Sequence, residues 1–150
     1  MKATRNILFI LLAFLGVGAI FGGSVLIISP TGKLFGMPLS MLDNSPFTNF
    51  LIPGIILFVV LGIAPIGLIL ALAKKPKYKF TQFFNFYKDM YWGWTYVIYT
   101  AFALIIWIQI EMTVLRSIHW FHSLYMFLAI AILFVALLPK VRTLYKNNPT

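Results

Sequence analysis

The sequence contains no cysteine and only three acidic residues, Asp43, Asp89 and Glu111, in 150 positions. The missing thiols exclude a disulfide framework, a thiolate nucleophile, a thiolate metal site and a cysteine redox relay. With so few carboxylates, two-carboxylate chemistry would have to be assembled by pairing subunits. Charged residues of both signs amount to 10% of the chain, against about 25% in ordinary globular proteins. That is too little charge to cover a water-facing surface. Several other chemistries also lack their usual signatures. There is no Walker-type phosphate loop and no Gly-x-Ser-x-Gly elbow, and Gly16-x-Gly18 lies inside an apolar run, where glycine serves packing.

What the chain does have is apolar length. Hydrophobic residues make up 61%, and four stretches reach the roughly 20 residues that a helix needs to cross a hydrocarbon core. They are predicted at about 7–28, 50–73, 92–113 and 119–138. The third and fourth are read as two spans joined by a tight turn, because Arg116, Ser117, His119 and His122 would otherwise lie in the middle of one helix. Lys2 and Arg5 precede the first stretch as they would a signal peptide. It runs on through Val25-Leu26-Ile27-Ile28 without a convincing small-residue cleavage site, so it is expected to remain as an uncleaved span.

The basic residues set the expected orientation. Lys2, Arg5, Lys74, Lys75, Lys77, Lys79, Lys88, Lys140, Arg142 and Lys146 fall on one side of the spans, Lys33 and Arg116 on the other: ten against two. Both termini and the 74–91 connection are therefore expected to be cytoplasmic. The formal charge of +9 thus points to anionic lipid headgroups rather than to nucleic acid. The predicted architecture is all-α: an antiparallel four-helix transmembrane bundle, N-in and C-in, in one domain.

The connections carry their own signals. After Pro76, the residues Phe80, Phe83, Phe84, Tyr87, Tyr91 and Trp94 recur at helical spacing, which predicts an amphipathic interfacial segment over about 80–91 with Thr81 as its N-cap. An ordinary aromatic belt at the start of a span is the simpler reading of the same residues. The 29–49 connection holds Leu34, Phe35, Met37, Leu39, Met41, Leu42 and Phe47, too many apolar side chains for a solvated loop. It is expected to fold onto the bundle as an external apolar cap, with one helical turn after Pro38; a mobile lid is the alternative. The first span carries Gly16, Gly18, Ala19, Gly22 and Gly23, small residues that let helix backbones approach closely, with one Gly18-x-x-x-Gly22 pair among them. Pro65, within Gly62-Ile63-Ala64-Pro65-Ile66-Gly67, is expected to kink the second span.

Chemistry in such a chain is sought at ionisable groups within or against the spans. Those are Glu111, near Gln109, then Arg116, His119 and His122, with Asp43 in the external connection. A hairpin turning near Arg116 brings Glu111 level with His122, and Trp107, Trp120 and Tyr125 lie close by. Three explanations stand. Glu111 pairs with Arg116 or a histidine and has no task; or Glu111, His119 and His122, with or without Asp43, hold a zinc-like metal; or Glu111 and a histidine form a protonatable pair for proton-coupled transport or acid–base work on a lipid. Trp107, Glu111, Arg116, His122 and Tyr125 are the candidates for lining a lipid or ligand site. Glu111, His119 and His122 are the candidates for catalysis.

The residues Ser29-Pro30-x-Gly32, Gly36-Met37-Pro38-Leu39, Ser45-Pro46-Phe47 and Ile52-Pro53-Gly54, followed by an apolar helix, resemble a pattern in small four-span bacterial integral membrane proteins that carry no assigned activity. The resemblance covers mostly the first half of the chain. It implies a protein of the bacterial inner membrane and transfers no catalytic residue. Function is accordingly expected to be non-enzymatic: packing with itself or with a partner subunit, and sheltering a lipid or small apolar ligand, with no cofactor. A small oligomeric transporter or channel using Glu111, and a lipid-modifying enzyme using Glu111 with His119 or His122, are the alternatives.

Overall fold

The computed structural model describes residues 2–147, and among them the fold is all-helical, with no β-strand. The helices are α1 (Lys2–Ile28), α2 (Leu51–Lys74), α3 (Lys79–Phe83), α4 (Trp92–Leu115), α5 (Trp120–Leu137) and α6 (Pro139–Tyr145). Two short 3-10 turns, Lys33–Phe35 and Leu39–Leu42, lie between α1 and α2. By length and composition, α1, α2, α4 and α5 could each cross a membrane. Their ends have local causes. α2 and α4 close on Lys75 (φ 50°) and Arg116 (φ 49°), left-handed C-caps that glycine more often fills. α5 stops where Leu138 takes the extended conformation required before Pro139.

The core is apolar and close-packed. Leu8, Leu12, Leu15 and Ala19 of α1 meet Leu61, Leu68 and Leu72 of α2, Val97, Ala101, Leu104 and Ile108 of α4, and Ala129, Ile132 and Ala136 of α5. α1 packs along the full length of α2 and also against α5, while α4 packs on α5. Each long helix keeps a second apolar stripe on the outside: Ile10, Phe14, Val17 and Phe21 on α1, Phe102, Ile106 and Ile110 on α4, Phe127, Ile130 and Phe134 on α5. Large exposed apolar surface of this kind marks a face that meets lipid or another protein.

The α1–α2 contact rests on glycines, though not on the Gly18–Gly22 pair expected from the motif. A Cβ built on Gly23 would lie 2.7 Å from the backbone nitrogen of Phe58 and 2.8 Å from the carbonyl oxygen of Gly54. One on Gly16 would lie 3.0 Å from the Gly62 carbonyl oxygen, and one on Gly62 would lie 3.1 Å from the Ile20 nitrogen. The seam therefore runs Gly16–Ala19–Gly23, spaced 3 and 4, against Gly54 and Gly62. Gly18 and Gly22 point elsewhere.

Pro65, within α2, is accommodated by a widened turn. Pro65 has no N–H to donate to the carbonyl four residues earlier. Residues Leu57–Ile63 just before it form a π-helical segment, and the Ala64 N–H reaches back to the Val59 carbonyl. Such segments displace side chains relative to a regular helix. Here the displaced ones include Leu57 and Leu61, which reappear in the cleft described below.

The predicted amphipathic helix over 80–91 is cut short. α3 ends at Phe83, and its N-cap is Tyr78; Thr81 lies inside it, its hydroxyl donating to the Tyr78 carbonyl at 2.8 Å. The helix stops because Asn85 is drawn inward. Fully buried, it accepts the Thr95 hydroxyl at 2.6 Å and donates to the Met90 carbonyl at 2.9 Å. A side-chain amide that satisfies backbone groups outside the helix competes with helix propagation. Phe80, Phe83, Phe84 and Tyr87 of the periodic pattern stay exposed, whereas Tyr91 and Trp94 are buried. Asn85→Leu should destabilise the fold by about 1–3 kcal/mol by stranding the Thr95 hydroxyl. The double substitution Asn85→Leu/Thr95→Val should recover part of that loss in denaturant titrations; equal stability of Asn85→Leu and wild type would contradict this account.

Around α6 the chain is fastened to the ends of α2 and α4. The Tyr145 hydroxyl donates to the Leu72 carbonyl at 3.3 Å, the Tyr91 hydroxyl lies 3.0 Å from the Pro76 carbonyl, and the Trp92 indole donates to the same carbonyl at 2.9 Å. Burial pushes both phenols up to about 12, with Tyr78 and Tyr145 adding to the effect on Tyr91. A phenol raised above its unfolded value of roughly 10 gives stability that is complete below that pH and lost as pH rises toward 12. The thermal midpoint should therefore be flat from pH 7 to 9 and fall above pH 10. Tyr145→Phe should blunt that alkaline fall; an unchanged fall in the variant would remove Tyr145 from the explanation.

Candidate functional site

A cleft of about 670 Å³ opens between α1, α2, α4, the start of α5 and the 29–50 connection. Its volume is in the range of small-molecule sites. Gly18 and Gly22 form the α1 wall; the missing side chain of Gly22 leaves open space, and that of Gly18 makes room for Tyr125. A Cβ on Gly22 would meet only Leu57, at 3.4 Å, and one on Gly18 would fall on the Tyr125 hydroxyl. Leu57 and Leu61, from the π-helical segment, form the α2 wall. Leu104, Trp107, Ile108, Glu111 and Leu115 line it from α4; their spacing of 3, 1, 3 and 4 places them on one helix face.

The connection closes the cleft from the side. Gly32 (φ 76°) and Gly36 (φ 63°) take left-handed turns, and a Cβ on Gly32 would collide with the Met37 carbonyl. These turns deliver Phe35, Met37 and Met41 to the cleft. Leu42 and Phe50 form a small separate core with Leu26, against which Met37, Met41, Phe47 and Val114 pack. The Phe50 N–H donates to the Pro30 carbonyl at 2.8 Å and draws the two ends together. Leu34, Phe35 and Leu39 remain exposed, so the segment is only partly packed down.

The polar end of the cleft is Glu111. Its Oε2 lies 3.8 Å from His122 Nε2, and His122 is itself fully buried. The hairpin between α4 and α5 thus brings these two residues together. Local capping orients the imidazole: the backbone N–H of His119, the N-cap of α5, donates to His122 Nδ1 at 3.0 Å, while the His122 N–H donates to the His119 carbonyl at 3.0 Å. A ring nitrogen that accepts a hydrogen bond carries no proton, so in the neutral ring the proton sits on Nε2, facing Glu111. At 3.8 Å this is an approach rather than a hydrogen bond. His122 Nε2 and the indole nitrogen of Trp107, one turn before Glu111, are both buried without a hydrogen-bond partner among the described residues.

The other residues singled out from the sequence go elsewhere or play smaller parts. Arg116 does not pair with Glu111; its Nη2 donates to Asn44 Oδ1 at 2.9 Å, tying the end of α4 to the connection. His119 lines the cleft with its ring stacked on Phe121, and its Nε2 lies 3.1 Å from the Ser117 hydroxyl. Tyr125 lines the cleft with its hydroxyl over Gly18. Asp43 and Gln109 are exposed and neither lines the cleft. Among the described residues no group of three His, Asp or Glu side chains comes together to hold a metal ion. The π-helical wall and the roles of Phe35, Met37 and Met41 were not read from the sequence, although the apolar excess of the connection and Pro65 were the available signals.

No family model, no curated protein and no solved structure matches this chain.

Proposed function

We propose that this protein is a small multi-pass membrane protein that shelters a lipid or small apolar molecule between its helices without transforming it. The observation that carries the reading is the cleft of about 670 Å³, apolar on every wall and holding one carboxylate, Glu111. A space of that size between membrane helices, with a few convergent polar groups at one end, suits a guest with an apolar body and one polar point. The exposed stripes on α1, α4 and α5 supply the surface that lipid, a second copy or a partner subunit would cover. The ten-to-two distribution of Lys and Arg supports cytoplasmic termini, with the 29–50 connection outside. Exposed Phe80, Phe83 and Phe86 beside Lys77, Lys79 and Lys88 suit an aromatic and basic anchor at anionic headgroups. The resemblance to small four-span bacterial proteins accords with residence in the inner membrane.

Two measurements test this reading. The absence of cysteine allows Lys33→Cys and Lys77→Cys to be labelled one at a time with a membrane-impermeant maleimide. Residue 33 should react from outside intact cells and residue 77 only after lysis; reaction of both from one side would overturn the topology. The neutral fluorophore N-phenyl-1-naphthylamine should then bind the purified protein saturably, one per chain. Binding that rises linearly with concentration, as in simple partition into detergent, would overturn the sheltering role.

The approach of His122 Nε2 to Glu111 at 3.8 Å favours one second reading, a transporter in which this pair takes up and releases a proton. It requires a pH-dependent flux in proteoliposomes that Glu111→Gln abolishes. Absence of flux in the parent protein, or flux unchanged by the substitution, would discard it.

A further inference from the structure

We propose that the cleft selects an organic cation with an apolar body, whose charge sits at the Glu111 carboxylate and whose body lies against the surrounding aromatic rings. This rests on the sheltering function proposed above and names the class of guest. The argument is one of charge and surface. The chain carries 12 Lys and Arg residues, yet none of them lines the cleft, and among the described residues Glu111 is the one carboxylate that does. The nearest guanidinium in sequence, Arg116, is engaged by Asn44. His122 offers an N–H at 3.8 Å and no hydrogen bond.

A carboxylate drawn into an apolar site is costly unless a positive partner meets it, and no fixed cation of the protein does so here. An anionic lipid headgroup would add a second negative charge beside Glu111. A neutral guest would leave the carboxylate unmet. A cation repairs the deficit, and the walls favour it further. Phe21, Phe35, Trp107, Trp120, Phe121 and Tyr125 all line the cleft, and aromatic faces attract cations, most strongly when water is excluded.

The same charge logic sets the pH dependence. The titratable groups that line the site are Glu111 itself, His119 at the start of α5 and Tyr125 further along it; His122 does not line it but lies 3.8 Å from Glu111, and the linings from α1, α2 and the connection contribute none. Acidification protonates Glu111 and so removes the negative charge that meets the guest. That change opposes a bound cation, so affinity must fall as pH falls.

The test is tetraphenylphosphonium binding to the full-length protein in a nonionic detergent, by calorimetry at pH 8 and pH 5, with N-phenyl-1-naphthylamine as the neutral control. Saturable one-to-one binding of the cation is expected at pH 8, weaker at pH 5. Glu111→Gln should weaken it by about tenfold or more, the scale of losing one member of a desolvated charge pair. Glu111→Asp should retain part of the affinity. Neutral-probe binding should persist in Glu111→Gln, which shows that the variant is folded and its cleft intact. Equal cation affinity in wild type and Glu111→Gln, or an affinity indifferent to pH, would overturn the inference. Binding of the neutral probe without any cation binding would overturn the cation selectivity and leave the sheltering function standing, whereas binding of neither would remove both.

Discussion

Gly23→Leu is expected to cost about 3 kcal/mol or more of stability, the upper range for forcing volume into a packed interface. The reason is that its neighbours are backbone. A side chain at the far end of its rotatable bonds can move aside, but the Phe58 nitrogen and the Gly54 carbonyl, 2.7 and 2.8 Å from the added Cβ, belong to α2 itself. To admit leucine, α1 and α2 must separate, and with them the contacts that Leu15 and Ala19 make in the core. Gly67→Ala is the control: nothing lies within 4 Å of its Cβ, and alanine is the better helix former by roughly 1 kcal/mol. Thermal or denaturant midpoints should drop sharply for Gly23→Leu and hold or rise for Gly67→Ala. Similar behaviour of the two variants would mean that the glycine seam is not where the helices meet.

That seam also shows what could and could not be read from the sequence. Four long apolar helices follow from composition and run length, because hydrophobicity over some 20 residues is a property of the segment and not of its neighbours. Their ends moved by a few residues: α4 runs on to Leu115, past the predicted 113, and α5 begins at Trp120. Which glycines touch is a property of two helices together. Gly18-x-x-x-Gly22 has the familiar spacing, yet Gly16 and Gly23 face α2, and the rotation of α1 about its axis that decides this is written in no local motif. The aromatic periodicity over 80–94 misled for a related reason. Asn85 finds its partners on Thr95 and Met90, a fold-back that spacing alone does not encode.

At the candidate site, the approach of Glu111 to His122 was legible because a helical hairpin places residues equidistant from its turn side by side. The orientation of the imidazole was not. It depends on the His119 N–H donating to His122 Nδ1, an N-terminal capping contact in which histidine replaces the usual Glu or Gln. Arg116 was a plausible partner for Glu111 by proximity in sequence, but its left-handed C-cap conformation sends the guanidinium to Asn44 instead.

The second large effect is expected at Gly22. Unlike Gly23, its neighbour in the chain, it faces open space: a Cβ there meets only a Leu57 methyl at 3.4 Å, an ordinary contact. Leucine at this position keeps the α1–α2 seam intact and extends its side chain into the cleft toward the α2 wall. Two adjacent glycines should therefore give opposite results. Gly23→Leu loses stability, whereas Gly22→Leu keeps its stability and loses the guest. The expected loss of affinity is on the order of a hundredfold, equivalent to about 3 kcal/mol.

The measurement that bears most directly on the sheltering role is a titration of N-phenyl-1-naphthylamine into wild type and Gly22→Leu under identical conditions, with helical content and thermal midpoint recorded for both. The prediction is saturable one-to-one binding in wild type and its loss in a Gly22→Leu protein of unchanged stability. Equal binding in the two proteins would contradict the account, because the guest would then lie somewhere other than the cleft between Gly22 and Glu111.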